Sequence, residues 1–169
     1  MVQLRLIPVF EDPEFVNAAT EYEKIWQADG EQILNALEKH SQLPLNENRI
    51  AVVVYEGVSY SGRDVHDVMK LRASYSEDIK KGTLIHELSH RLMFQMDAQS
   101  TSDTRDIHEI LFLFLYDVWA EVYGSEFANK KVAHERSLSA RYEDAWSKTL
   151  KLDTTERKQH WALYLKNHQ

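Results

Sequence analysis

An α+β fold, with a small mixed β-sheet and an N-terminal helix followed by a helical half, is predicted by three features of the chain. The β-branched run Arg49-Ile50-Ala51-Val52-Val53-Val54-Tyr55 reads as a strand, with shorter alternating stretches before and after it. Apolar residues recur at three- and four-residue steps over 13–43 and again through the C-terminal half. The third feature is Gly82-Thr83-Leu84-Ile85-His86-Glu87-Leu88-Ser89-His90, which opens the helical half and contains H-E-x-x-H.

At 169 residues the chain reads as one domain over 1–169, long enough to bury a substantial core. Its formal net charge of −7 disfavours nucleic acid and anionic membranes as partners. With no cysteine, disulfides and thiolate metal sites are excluded, and a reducing compartment is compatible. No run approaches the ~18 apolar residues of a membrane span. Residues 1–10 lack the basic start and long apolar core of a signal peptide. A soluble, cytoplasmic protein is expected.

Residues 1–10 alternate until Pro8 and read as a short strand. The helical pattern over 13–43 places Phe15, Ala18, Ala19, Tyr22, Ile25 and Trp26 on its inner face, with Asp29-Gly30 as a candidate break. Pro44 and the Asn46–Asn48 cluster mark a turn before the strand at 49–55, and 57–62 turns again. Residues 68–75 alternate as a second strand and lead straight into the motif helix. Ser76 is its candidate cap, Glu77 and Asp78 its acidic first turn, and Leu84, Leu88, Leu92 and Met96 its apolar positions. A polar loop is expected over 97–104, then a second helix over 105–123 that is apolar almost all round from Ile110 to Tyr116 and ends at Gly124. Residues 126–149 and 154–167 read as two further amphipathic helices.

The motif carries the chemistry. Residues i and i+4 of a helix lie one above the other, so His86 and His90 can offer two imidazole nitrogens to one ion. Glu87 is turned about a hundred degrees away, beside the ion rather than on it. That arrangement suits Zn²⁺ with one more protein ligand and an open water position. The water becomes acidic, and Glu87 takes its proton as it attacks a carbonyl.

A third ligand is sought on the following helix, among His108, Glu109, Asp117 and Glu121. If the chain doubles back near Asp97, His90 lies roughly 10 Å before the turn and its partner falls near 108–110. Asp117 lies roughly 20 Å from that turn. His108 shares a face with Phe112, Leu115 and Trp119 and points inward, whereas Arg105, Asp106 and Glu109 share a side that reads as solvent. The order of preference is His108, then Glu109, then Asp117, and an acid such as Asp117 could instead orient a ligand imidazole.

With its H-E-x-x-H helix and surroundings, about a third of the chain, the sequence resembles the zincin metallopeptidases. The resemblance implies a zinc cofactor, a peptide or protein substrate, and a sheet edge near the motif helix against which an extended substrate lies. A third histidine on the next helix is similar to Spartan-type proteases. The spacing from His90 to Glu109 instead resembles the glutamate zincins, though Leu113 stands where those often have an acid; Asp117 and Glu121 keep the acid spacing with Asp in place of Glu. Zincins also supply an oxyanion-stabilising side chain from beyond the ligand helix, for which His134, Arg141 and Tyr142 are available. A different class remains open: a metal- or partner-binding domain of zincin shape with no proteolysis.

Overall fold

In the computed structural model, which describes residues 2–62, 64–96 and 106–168, strands β1 (Gln3–Pro8), β2 (Arg49–Tyr55) and β3 (Met69–Arg72) form one sheet in the order β1-β2-β3. Both pairings are parallel, with Leu4 opposite Ile50 and Val53 opposite Lys70. The expected mixed sheet is therefore corrected. Parallel neighbours need a crossover, and helix α1 (Pro13–Ser41) supplies it between β1 and β2 while 56–68 supplies it between β2 and β3. Among the described residues the antiparallel contribution is an isolated bridge between Tyr60 and Lys70 of β3.

Strand β2 alternates as its sequence does: Ile50, Val52 and Val54 are buried, and their neighbours are partly exposed or exposed. Helix α1 packs against β1 and β2 and contributes Tyr22, Ile33 and Leu37 to the core. It runs unbroken through Asp29-Gly30, because Gly30 is buried beneath the Trp26 ring and keeps helical backbone. Trp26 Nε1 also donates to the Val2 carbonyl at 3.3 Å, tying the helix to the start of β1.

The helical half comprises α2 (Glu77–Phe94), α3 (Ile107–Tyr123), α4 (Ser125–Leu138), α5 (Ala140–Thr149) and α6 (Thr154–His168). Helix α3 is its centre, packed on α1, α2, α4, α5 and α6, which is why Ile110 through Leu115 are all buried. It ends at Gly124, whose φ of 89° a side chain would rarely tolerate. The helix expected over 126–149 is two helices. Ser139 breaks it with extended backbone, and its hydroxyl accepts from the Tyr142 amide at 3.2 Å, the first turn of α5. The loop expected over 97–104 lies outside the described residues. Among the described residues no helix is long and apolar enough to cross a membrane.

Candidate metal centre

Helix α2 is buried along most of its length, held there by Leu84, Ile85, Leu88 and Leu92, and the same packing sinks His86, Glu87 and His90. His86 Nε2 and His90 Nε2 lie 3.1 Å apart. Helix α3 brings His108 to them from its first turn, with its ring centroid 5.6 Å from His86 and 5.0 Å from His90. One ligand atom from each of the three imidazoles lies within 4.8 Å of the others. Nitrogens bound to one tetrahedral ion at ~2.0–2.1 Å stand about 3.3 Å apart, so the cluster needs only a small closure to hold a metal.

Carboxylates fix the ring orientations. Glu135 Oε1 on α4 accepts from His86 Nδ1 at 2.7 Å, while its Oε2 accepts from Trp146 Nε1 at 2.9 Å. Asp106, the N-cap of α3, accepts from both the His108 amide and His108 Nδ1 at 2.9 Å. An ionised carboxylate only accepts, so each Nδ1 carries the proton and each Nε2 lone pair is left for the centre. Arg141 in turn grips Asp106, one of its hydrogen bonds measuring 3.0 Å. Burial opposes an ionised Asp106, but hydrogen bonds from Arg141 and His108 bring its pKa down to about 2.

Burial also opposes charge on the imidazoles. It holds His90 well below its ordinary pKa, helped by His86 and His108, and it lowers His108 against the pull of Asp106. For His86 the opposing effect of burial is outweighed by Glu135, and its pKa rises. Burial raises Glu87 to about 7, with His86 working against the rise and Glu135 adding to it. For His90 and His108 the lowered pKa favours the neutral imidazole, the form that ligates metal. The donor set fits Zn²⁺, an imidazole-binding ion suited to such nitrogen ligands.

Glu87 faces two cavities. One, of about 300 Å³, also touches Thr83, His86, Lys131, His134 and Tyr142; the other, of about 540 Å³, also touches His90, Phe94, His108 and Arg141. Val58 and Ser59 line both. They belong to 56–62, which lies along β3: Tyr60 exchanges both backbone hydrogen bonds with Lys70, at 2.9 and 2.7 Å, and Ser59 Oγ accepts from the Arg72 amide at 3.1 Å. The β3 edge expected to receive substrate is therefore already covered. By strand alternation the Ser59 N–H and C=O point away from β3, and among the described residues neither has a partner.

Arg91, next to His90 and almost fully buried, secures this segment. Its guanidinium donates to the carbonyls of Ser61 (2.9 Å), Asp64 (3.0 Å), Val65 (2.7 Å) and Asp67 (2.9 Å), and its Nε donates to Glu47 at 2.9 Å.

Of the residues expected from sequence, His86, Glu87, His90 and His108 meet at one place. Glu109 does not join them; it pairs with Lys148 at 2.7 Å. Asp117 pairs with Arg157 at 2.9 Å, far from any role in orienting an imidazole here. Tyr142 lies near the centre, its ring centroid 4.5 Å from that of His108 and tilted by 50°, while Arg141 is engaged by Asp106 and His134 sits edge-on to Tyr75. Glu135 and Asp106 were not among the expected orienting groups. Compared with protein-family models, curated proteins and solved structures, the chain matches none.

Proposed function

We propose that this chain is a zinc-dependent hydrolase of zincin type that cleaves peptide bonds. The observation that carries the reading is the convergence of one ligand atom each from His86, His90 and His108 to within 4.8 Å of one another, with Glu87 lining the cavity that touches His86 and the one that touches His90 and His108. His86, His90 and His108 would hold the ion through Nε2, kept in that orientation by Glu135 and Asp106 where these engage the opposite nitrogen. The chemistry that a zinc ion would supply there is that of a Lewis acid, which would make a bound water more acidic and a carbonyl more polar.

The chain's own groups account for the rest. Glu87, raised to about 7, accepts the proton of the attacking water and returns it to the leaving amine. The Tyr142 hydroxyl, whose pKa burial raises, stays protonated, and its place in the lining of both cavities beside Glu87 supports it as a donor for the developing oxyanion. The Ser59 backbone N–H and C=O, without a partner among the described residues, support an extended peptide as substrate, since a strand can add there by main-chain hydrogen bonds.

The test is zinc-loaded protein against mixed peptides, with chelator as control. Chelator-sensitive cleavage is expected, and Glu87→Gln should lower it by about 10²–10⁴-fold while zinc stays bound. Full turnover by Glu87→Gln would contradict the mechanism. Stoichiometric zinc without cleavage would leave a metal-binding domain in its place.

A further inference from the structure

Lys131 and His134 stand on one face of α4, three residues apart, and both line the 300 Å³ cavity beside His86 and Glu87. Lys131 is 3% exposed. Its stem lies across Gly82 of α2, where an added Cβ would come 2.1 Å from Lys131 Cε, so only glycine admits this path. A buried ammonium ordinarily has a carboxylate partner, as the equally buried Lys80 has in Glu21. Lys131 has none within ion-pair distance among the described residues; its ammonium makes one long hydrogen bond, 3.4 Å, to the Ile79 carbonyl and lies 6.0 Å from the centre of the Trp119 ring. His134 Nε2 is likewise buried and without a hydrogen-bond partner. The cavity's carboxylates do not satisfy either group: Glu135 is taken by His86 and Trp146, and Glu87 makes no ion pair with Lys131 and also lines the second cavity, with His90 and His108.

We infer that Lys131 and His134 form a subsite for a carboxylate carried by the substrate, next to the bond that is cut. The ammonium supplies charge and the neutral imidazole a directed N–H, two donors for two oxygens. Burial and the charge of Lys131 both lower the pKa of His134, which keeps it neutral and places the two groups within electrostatic reach of each other. Val58, 79% exposed, and Leu138, 49% exposed, line the same cavity and give an aliphatic stem something to lie against. A carboxylate can come from an acidic side chain or from a peptide's free C-terminus, and both present the same two oxygens.

The inference rests on the peptidase reading for its substrate but is tested by binding. Zinc-loaded Glu87→Gln protein is titrated with short alanine-based peptides carrying a central glutamate or glutamine, each with a free or an amidated C-terminus. A carboxylate-bearing peptide should bind about ten- to a hundredfold more tightly than its neutral counterpart. If the advantage follows glutamate, the subsite takes a side chain; if it follows the free end, it takes the C-terminus. Adding Lys131→Met should erase the advantage. That variant removes a buried charge that has no carboxylate partner, so it is expected to fold; His134→Gln, which keeps a donor, should reduce the advantage without erasing it. Equal affinity for all four peptides, or an advantage that survives Lys131→Met, would overturn the inference. Cleavage without carboxylate preference refutes only the subsite, whereas preference without cleavage by the wild-type chain refutes only the peptidase.

Discussion

Glu135 and Asp106 decide the state of the centre one proton at a time, and their visibility in the sequence differs. Glu135 reaches His86 across 49 residues, and nothing local marks it, because only the packing of α4 beside α2 brings it there. Asp106 was legible in principle: an Asp just before an apolar-periodic run is an N-cap signal, and a cap that binds the amide of His108 also reaches its ring. The sequence points to His108 in two steps: helix rise and hairpin geometry place the partner of His90 near 108–110, and the inward face shared with Phe112, Leu115 and Trp119 selects His108 over Glu109. Zinc affinity, measured by competition against a chelator, separates these roles. Glu135→Gln should weaken zinc by ~10–100-fold, His108→Ala by more than that, and Glu109→Ala hardly at all, since Glu109 is held by Lys148. A Glu109→Ala loss as large as that of His108→Ala would overturn the ligand set.

Helices with strong period, α1 through α3, are readable because burial enforces their pattern, and β2 is readable because one of its faces is buried. What was not readable lies where a few atoms decide. The break at Ser139 is one hydroxyl accepting one amide, and the sense of the sheet depends on how 56–68 travels. That segment is held by the Arg91 fork on the ligand helix, so the cleft edge and the metal centre share an element. Arg91→Ala should raise amide hydrogen exchange across 56–68 and cost about 3 kcal/mol of stability, leaving Glu47 without its guanidinium. Arg91→Lys should fail to rescue protection, because an ammonium cannot span four carbonyls and a carboxylate. Unchanged exchange in Arg91→Ala would show that the segment holds itself.

For the molecule as a whole, composition indicates an acidic chain and says nothing of the cavity where its sheet and helical halves meet. The buried cation there has a cost that shows in the pH dependence of folding. Burial lowers Lys131 from 10.5 to about 8, against the opposing charges of Glu135 and Asp78. Between those values the unfolded chain keeps the proton and the folded chain releases it. Stability of the metal-free protein should therefore gain from this group as pH rises from about 8 to 10.5 and lose it on the way down, by about 3 kcal/mol in all. Comparing thermal unfolding of wild type and Lys131→Met isolates the effect: the variant should be the more stable at pH 7, with the difference shrinking towards pH 10. A difference independent of pH would contradict it.

The central claim, that His86, His90 and His108 form one zinc centre, is tested most directly by elemental analysis of the zinc-reconstituted chain after exhaustive dialysis. The account predicts equimolar zinc in wild type and in Glu87→Gln, and its loss in His86→Ala, His90→Ala and His108→Ala, each checked for folding by circular dichroism. Wild type that retains no metal, or folded histidine variants that all retain it, would contradict the account.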